Sequence, residues 1–241
     1  PPLRVPCRHE VEVYFEASPR WALDQPYQQS ASKGYEADGL LYLKSGSKEQ
    51  NILAKQGDDL RIDWGYFYMV AGKENTAYSV GNSTELRKNF VNGTLNSASL
   101  EGEDSNGNMA LVRSHGKVKN VTDKIMLGYD DIYSIQYFGT NLRPYWNSKG
   151  DRTIEAEMLA AYNEYDKLLA RCYAFDKKLM EDASAAGGKE YAELCALAYR
   201  QSIAAHKLVE APNGDLLWLS KENNSNGCIN TVDLTYPSAP L

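Results

Sequence analysis

The sequence predicts an α+β protein in which an antiparallel β-sandwich is followed by an α-helical hairpin that begins an incomplete α/α toroid. Apolar residues alternate with polar ones from Glu10 to about Tyr145, and they recur every three or four residues after Trp146. Polar, glycine-containing turns separate the short alternating runs. We therefore assign residues 1–147 to a β-sandwich domain and residues 148–241 to a helical segment.

The first half reads as many short strands. Val11, Val13 and Phe15 alternate with more polar residues, which indicates one buried and one wetter face. The same pattern predicts strands at 41–43, 60–64, 66–70, 110–113, 118–121 and 132–138. Short strands with polar turns and little helical periodicity are typical of an antiparallel sandwich. The stretch 85–92 is either a short helix or a loop.

The second half predicts two antiparallel helices. Asp151 or Thr153 can cap the first, which we expect to run for about thirty residues until the break at 183–188. The second is predicted from Lys189 to Ala211, and its stripe of small residues suits close packing against the first. Leu216–Leu219 then forms a short strand or a buried turn.

Composition favours a globular protein and excludes several function classes. Of the 241 residues, 43% are hydrophobic and 11% aromatic, enough to bury a core. A net charge of −6 argues against nucleic-acid binding, which needs clustered Lys and Arg. No apolar run approaches the roughly twenty residues of a membrane span. We therefore expect no nucleic acid and no membrane span among the partners.

Metal and cofactor chemistry has no signature in the sequence, so we predict neither. The four cysteines show no CxxC spacing, and the three histidines are isolated. Free thiols and up to two disulfides both remain open for the cysteines, which are Cys7, Cys172, Cys195 and Cys228. The adjacent Asp130 and Asp131 lack the spacing of a calcium loop and are expected in a solvated turn.

The last residues, 220–241, are rich in asparagine and acids and have too few apolar residues to form core. We predict that this segment lines a ligand pocket. Tyr236-Pro237 reads as the entry to a helix, because proline is tolerated in a first helical turn. That unfinished helix and the opening Pro1-Pro2 lead us to expect a piece of a longer protein.

The sequence closely resembles the glutaminase A family of fungi and gut bacteria. The stretches that carry the resemblance are 8–21, 128–139, 191–209, 219–227 and 232–241. The resemblance implies a β-sandwich followed by an α/α toroid of the six-hairpin glycosidase type. It also implies hydrolysis of L-glutamine to L-glutamate and ammonia, in a periplasmic or secreted protein.

Glu222 and Asp233 are the predicted catalytic residues. Hydrolysis can use one carboxyl group as general acid and another as base or nucleophile, with pKa values separated by their surroundings. The alternative is that Glu222 pairs with Lys221 on the surface and Asp233 caps a turn. The predicted substrate-binding residues are Lys221, Asn223, Asn226, Thr235 and Tyr236. An asparagine amide both donates and accepts hydrogen bonds, although next to Gly227 it also suits a turn.

Two other functions remain open at this point. The toroid architecture is shared with glycosidases, and glycoside hydrolysis needs two carboxyl groups roughly 5 to 9.5 Å apart. The second is a non-catalytic carbohydrate-binding or structural module, since fold does not fix function. The 17 tyrosines and four tryptophans could stack on sugars, but they equally build sheet faces. Apolar helix faces left uncovered also predict self-association.

Overall fold

A computed structural model describes residues 3–56, 62–95, 107–221 and 226–238. The chain divides into two compact units, Pro1–Ile52 with Ile62–Ile132 and Leu53–Arg61 with Tyr133–Leu241. The first is a sandwich of antiparallel sheets and the second carries most of the helix, which confirms the α+β fold class. The domain boundary at residue 147 stays a prediction, because compactness does not test whether either part folds alone.

In its described residues the first unit contains seven strands, one α-helix and a short 3-10 helix at Pro19–Ala22. The strands and the α-helix are β1 (Leu3–Ala17), β2 (Ser30–Ala37), β3 (Leu40–Ser47), β4 (Tyr66–Gly72), β5 (Thr76–Gly81), α1 (Ser83–Val91), β6 (Asn108–Val121) and β7 (Met126–Asp130). One sheet has the order β1-β6-β5 and the other β2-β3-β4-β7, with every pairing antiparallel. The predicted strands 110–113 and 118–121 belong to the single long strand β6.

The core of the sandwich lies between these two sheets. Alternate residues of β3 and β4 point to it, and Met109 and Leu111 of β6 face them from the other sheet. The members of this cluster are Ala17, Ala22, Leu41, Leu43, Phe67, Met69, Ala71, Met109 and Leu111. Each large apolar side chain that is fully buried stabilises the fold by about 1.5–3 kcal/mol. The period of two in the sequence therefore becomes the buried face of each sheet.

Gly34 shows how closely the sheets approach each other. A Cβ built on Gly34 in β2 would lie 2.3 Å from a ring atom of Tyr78 in β5. Any side chain at residue 34 would therefore displace an aromatic ring from the interior. The absence of a side chain at this position allows Tyr78 to fill the space between the sheets.

Helix α1 is stabilised by a side-chain cap at its first turn and by an ion pair with strand β1. The side chain of Asn82 accepts hydrogen bonds from the backbone N–H groups of Thr84 and Glu85 and so caps the helix. Arg87 donates from Nε to Oε2 of Glu16 on β1, at 2.8 Å. Burial alone would raise the pKa of Glu16, but hydrogen bonds from Ser83, Asn108, Arg87 and Tyr14 lower it to about 2.

Two expectations about the end of the first unit were wrong. Ile62–Trp64 forms no strand, and the predicted strand's first residues, Leu60 and Arg61, lie outside the described residues. Trp64 is instead fully buried, and its indole N–H donates to the backbone oxygen of Asp131 at 2.7 Å. Asp131 is also buried rather than solvated. Burial raises the pKa of the Tyr129 hydroxyl, and Asp131, Asp130 and Asp63 add to the effect.

The second unit begins with strands and continues with helices. Its elements are β8 (Ile135–Tyr137), β9 (Thr140–Leu142), α2 (Ile154–Asn163), α3 (Tyr165–Ala204), β10 (His206–Glu210), β11 (Leu216–Ser220) and α4 (Val232–Ser238). Strand β8 pairs with β9, and β10 pairs with β11. Ile135, Leu142 and Val209 form a small buried cluster that joins the two hairpins. No helix of the described residues is long and apolar enough to cross a membrane.

The long helix α3 is a hairpin of two arms, 165–187 and 189–204. Gly188 has φ 84° and ψ −179°, a backbone conformation that essentially only glycine adopts. The rings of Phe175 and Tyr199 from opposite arms lie with centroids 5.2 Å apart. The antiparallel pair and a break within 183–188 are therefore confirmed, although the helix continues to residue 187. The single first helix of about thirty residues was wrong, because the helix is interrupted at Glu164 between α2 and α3. Thr153 caps α2 through a bond from the N–H of Ala156, as predicted.

The second arm ends earlier than predicted. We expected helix up to Ala211, but α3 stops at Ala204 and His206–Glu210 forms strand β10. The register pairs His206 with Ser220 and Val209 with Leu217. Val209 is fully buried in the cluster with Ile135 and Leu142, so packing overrides the helical pattern. The predicted short strand at Leu216–Leu219 is confirmed as β11.

Candidate functional site

The candidate site is a polar loop at the end of the second unit, which we call the 221–229 loop. Lys221 and Ile229 form an antiparallel bridge that closes its two ends. Lys221 also donates its backbone N–H to the oxygen of Ala205 at 2.8 Å, which ties the loop to the end of α3. Both ends of the loop are therefore fixed beside the end of α3.

The two ends of the loop meet at the bridge between Lys221 and Ile229, which we call the loop neck. Ser220 directly precedes it and makes most of the contacts that hold the neck together. Its N–H and its hydroxyl lie 3.0 and 3.2 Å from Oδ1 of Asn230. The hydroxyl is also 2.9 Å from that of Thr235 in α4. Asn230 returns a bond from its own N–H to the oxygen of Ser220 at 2.9 Å. Asn230 has φ 54°, a left-handed conformation that asparagine tolerates better than most residues. These bonds connect β11, the end of the loop and α4.

His206 stabilises the junction from the other side. Its Nδ1 lies 2.5 Å from the backbone oxygen of Ser202, near the end of α3. Since a carbonyl oxygen can only accept, Nδ1 carries the proton, and the imidazole serves as a cap for the helix. The ring stacks on Trp218 with centroids 4.9 Å apart and an interplanar angle of 7°. The helix end and β11 are thereby joined next to the loop neck.

The predicted site residues lie in different environments. Lys221 is buried at the loop neck, with 4% of its surface exposed. Thr235 is brought close to it through Ser220. Oδ1 of Asn226 accepts the N–H of Cys228 at 2.8 Å, which is the turn chemistry that we gave as the alternative. Asn226 therefore has a structural contact within the loop.

The remaining predicted residues are exposed or undescribed. Asp233 lies exposed in the first turn of α4, where an acidic residue interacts favourably with the helix dipole. Tyr236, one turn later, is largely exposed. Glu222 and Asn223 lie outside the described residues. The structure thus places Thr235 against Ser220, the residue before Lys221. The assignment of Glu222 and Asp233 as catalytic residues stays a prediction.

Sequence reasoning missed the residues that hold the loop. Ser220 and Asn230 were counted only as part of a polar segment, although together they fix the neck. Thr231 precedes α4, and its backbone oxygen accepts the N–H groups of Leu234 and Thr235. An asparagine just before a short helix is a signal for a left-handed turn, and it could have identified Asn230.

A groove in the second unit lies elsewhere, along the two arms of α3. Its lining is mostly apolar and includes Leu168, Cys172, Phe175, Leu179, Leu197 and Ile203. None of the described candidates, Lys221, Asn226, Asp233, Thr235 and Tyr236, lines it. This groove is therefore separate from the candidate site.

Metal ligands are not grouped within the described parts of the chain. There, no cluster of three or more His, Cys, Asp or Glu side chains could hold a metal ion. Among the described cysteines, Cys172, Cys195 and Cys228 form no disulfide, and Cys172 is exposed.

Comparisons with known families divide the chain at the α3 hairpin. Residues 6–182 match a domain of unknown function, DUF5127. Residues 188–241 match the glutaminase A six helical-hairpin domain. The second match contains all seven predicted site residues. The division between the two matches falls next to Gly188, so each arm of the hairpin falls mainly in a different match.

Two curated relatives match nearly the whole chain. Glutaminase A of Aspergillus oryzae is 27% identical over 250 residues, which cover 97% of this chain and 35% of that protein. A "Probable glutaminase" of Arthroderma benhamiae is 23% identical over 273 residues, covering 99% of this chain and 30% of that protein. The chain spans about a third of the length of these relatives. The chain therefore belongs to the DUF5127 domain family over most of its length. The match of residues 188–241 and the two named relatives support the predicted resemblance to the glutaminase A family.

Proposed function

We propose that the intact protein hydrolyses the side-chain amide of L-glutamine to give L-glutamate and ammonia. The observation that carries this proposal is the similarity to a protein named Glutaminase A over 97% of this chain. The match to the glutaminase A six helical-hairpin domain over 188–241 supports it, because that segment contains the candidate loop.

The proposed reaction needs two proton transfers. A general base takes a proton from water, whose oxygen adds to the amide carbon of glutamine. A general acid then protonates the nitrogen, so that the carbon–nitrogen bond breaks and ammonia leaves. We assign these two roles to Glu222 and Asp233 as a pair, without dividing them. Lys221, Asn223, Asn226, Thr235 and Tyr236 are proposed to contact the substrate.

The geometry of the loop neck supports this assignment. The bridge between Lys221 and Ile229 and the bonds of Ser220 to Asn230 and Thr235 hold the loop and α4 together. Asp233 lies on α4, and Glu222 follows directly after Lys221. Catalysis depends on groups held in position before the substrate arrives, and this neck provides such a support.

The test is ammonia release from glutamine by the intact protein and by Glu222→Gln and Asp233→Asn variants. Loss of a general acid or base is expected to lower kcat by about 10²–10⁴-fold. Asp166→Asn is the matched control for Asp233→Asn, because Asp166 is also an exposed acid in a first helical turn. Glu190→Gln on α3 serves the same purpose for Glu222→Gln.

Three outcomes would change the proposal. Wild-type turnover in both loop variants would remove the site assignment but keep the activity. Release of reducing sugar from an oligosaccharide panel, with no ammonia from glutamine, would replace the activity with glycoside hydrolysis. Turnover of neither substrate by the intact protein would favour a binding or structural role. Secretion or a periplasmic location, and self-association, stay predictions.

A further inference from the structure

The segment between β1 and β2 exposes two large aromatic side chains. Trp21 is 62% exposed and Tyr27 is 80% exposed. Both belong to residues 18–28, which we call the 18–28 segment and which lies within the sandwich unit. Large aromatic residues usually bury most of their surface. Two of them exposed on one short segment therefore require an explanation.

Trp21 is held in place by contact with the sandwich core. Its ring packs against Phe67, a buried member of the sandwich core, with centroids 5.2 Å apart and an interplanar angle of 55°. Pro19 and Ala22, on either side in sequence, are both buried. The indole is therefore anchored to the core while more than half of its surface faces solvent. An anchored, exposed ring is a fixed platform for stacking, and little conformational entropy is lost when a ligand binds to it.

The polar groups of the 18–28 segment are also ordered. Oε1 of Gln28 accepts the backbone N–H groups of Asp24 and Gln25, each at 2.8 Å. Nε2 of Gln25 donates to Oδ2 of Asp24 at 2.8 Å. Nε2 of Gln28 lies 3.5 Å from Oδ2 of the buried Asp63. This network sets the backbone between Trp21 and Tyr27.

The chemistry of this surface favours a neutral, hydroxyl-rich ligand. A carboxylate has acceptor sites for several hydrogen bonds, and an amide offers two donors and an acceptor. Asp24 and Gln25 can therefore bond to hydroxyl groups while they stay bonded to each other. The charged residues of the segment are one cation, Arg20, and one anion, Asp24, so it has no net charge to attract an ionic ligand. An exposed aromatic ring can stack on the apolar face of a pyranose ring, and Asp24 and Gln25 lie between Trp21 and Tyr27 in sequence.

We propose that the 18–28 segment binds neutral polysaccharides, with Trp21 and Tyr27 stacking on pyranose rings and with Asp24 and Gln25 bonding to their hydroxyls. This site is independent of the 221–229 loop and of the proposed amide hydrolysis. It would hold the protein on a polysaccharide surface whatever reaction the protein catalyses.

Affinity electrophoresis of the whole chain tests the proposal, in gels that contain soluble barley β-glucan, galactomannan or glycogen. We expect at least one polysaccharide to retard the protein. Trp21→Ala and Tyr27→Ala should each weaken that binding by about tenfold, the loss expected when one stacking contact is removed. Phe138→Ala is the matched control, because Phe138 is an aromatic residue 92% exposed outside the segment.

The variants also separate loss of binding from loss of folding. Trp21 contacts the core, so Trp21→Ala can destabilise the sandwich, but Tyr27 is too exposed for its removal to do so. Tyr27→Ala should therefore bind weakly while keeping the wild-type melting temperature. The proposal is overturned if no polysaccharide retards the protein or if Tyr27→Ala binds as well as wild type. It is also overturned if Phe138→Ala loses as much affinity, or if the 18–28 segment captures a protein instead.

Discussion

The β-sandwich and the α3 hairpin place their hydrophobic residues in opposite ways. In the sandwich, Leu43, Met69 and Leu111 are completely buried between two sheets. On the second arm of α3, Leu194 and Leu197 are largely exposed, and in the whole of α3 only Ala183 and Ala192 are buried. Hydrophobic periodicity thus predicts which face is apolar. Whether that face is buried depends on another element lying against it.

The α3 hairpin must therefore be stabilised by local interactions more than by a core. Gly188 reverses the chain, and the rings of Phe175 and Tyr199 join the arms. Exposed ion pairs such as Lys178–Asp182, at 2.7 Å, add little because solvent screens them. In these pairs the lysine precedes the acid, which is the less favourable orientation on a helix. Such contributions are small beside those of the sandwich core.

The largest expected difference comes from truncating one leucine in each region. Leu111→Ala should lower the free energy of unfolding by about 2–5 kcal/mol, because it leaves a cavity between the sheets. Leu197→Ala, at a position 53% exposed, should change it by less than about 1 kcal/mol. Urea unfolding followed by tryptophan fluorescence and by circular dichroism measures both. Equal losses would mean that the hairpin face is covered in solution.

A smaller effect is expected at the turn of the hairpin. Gly188→Ala should cost about 1–3 kcal/mol, because alanine must adopt the conformation φ 84°, ψ −179°. A Cβ at Gly188 would meet no atom within 4 Å, so backbone strain alone produces the loss. The exposed Ser184→Ala is the control and should change stability by less than about 0.5 kcal/mol. Thermal melting of helical ellipticity checks the pair, and an unchanged Gly188→Ala variant would contradict the turn geometry.

The smallest expected effect concerns acid stability in the sandwich. The folded-state pKa of Glu16 is about 2, below its ordinary 4.5, so its contribution is present above pH 4.5 and is lost as the pH falls towards 2. Glu16→Gln should therefore cost about 1–2 kcal/mol at pH 7, after allowance for solvent screening, and should reduce the loss of stability between pH 4.5 and 2. Urea midpoints across that range measure it.

The matched control is Glu36→Gln. Glu36 pairs with Lys73 at 3.2 Å, but both side chains are exposed by half or more. Exposed pairs contribute little, so this variant should stay within about 0.5 kcal/mol of wild type at every pH. An equal pH dependence in the two variants would show that the contacts of Glu16 do not lower its pKa in solution.

Much of the fold follows from periodicity and turn signals, and the misses have physical causes. The strands around Val11, Tyr42 and Met69 and the break before Lys189 were predicted correctly. The segment His206–Glu210 was not, because its helical spacing continues that of α3 while Val209 is needed in the core. The Pro212-Asn-Gly-Asp turn between β10 and β11 is itself a hairpin signal that could have revealed both strands.

The candidate loop could be located from sequence, but the contacts that hold it could not. Asparagine and serine make different contacts in different folds, so composition does not show that Ser220 bonds to both Asn230 and Thr235. The bridge between Lys221 and Ile229 depends on pairing that no local pattern encodes. A polar segment with few apolar residues therefore predicts where chemistry occurs, but not the geometry that supports it.

The pairing of β1 with β6 has a consequence for the newly synthesised chain. The hydroxyl of Ser114 donates to Glu12 at 2.8 Å across a separation of 102 residues. At translation rates of about 5–20 residues per second, β1 leaves the ribosome roughly 5–20 s before its partner strand is complete. The arms of α3, in contrast, are joined through Gly188 and can associate as soon as they emerge. During that interval β1 is an unpaired strand in the nascent chain, where chaperones or misassembly compete with β6 for it.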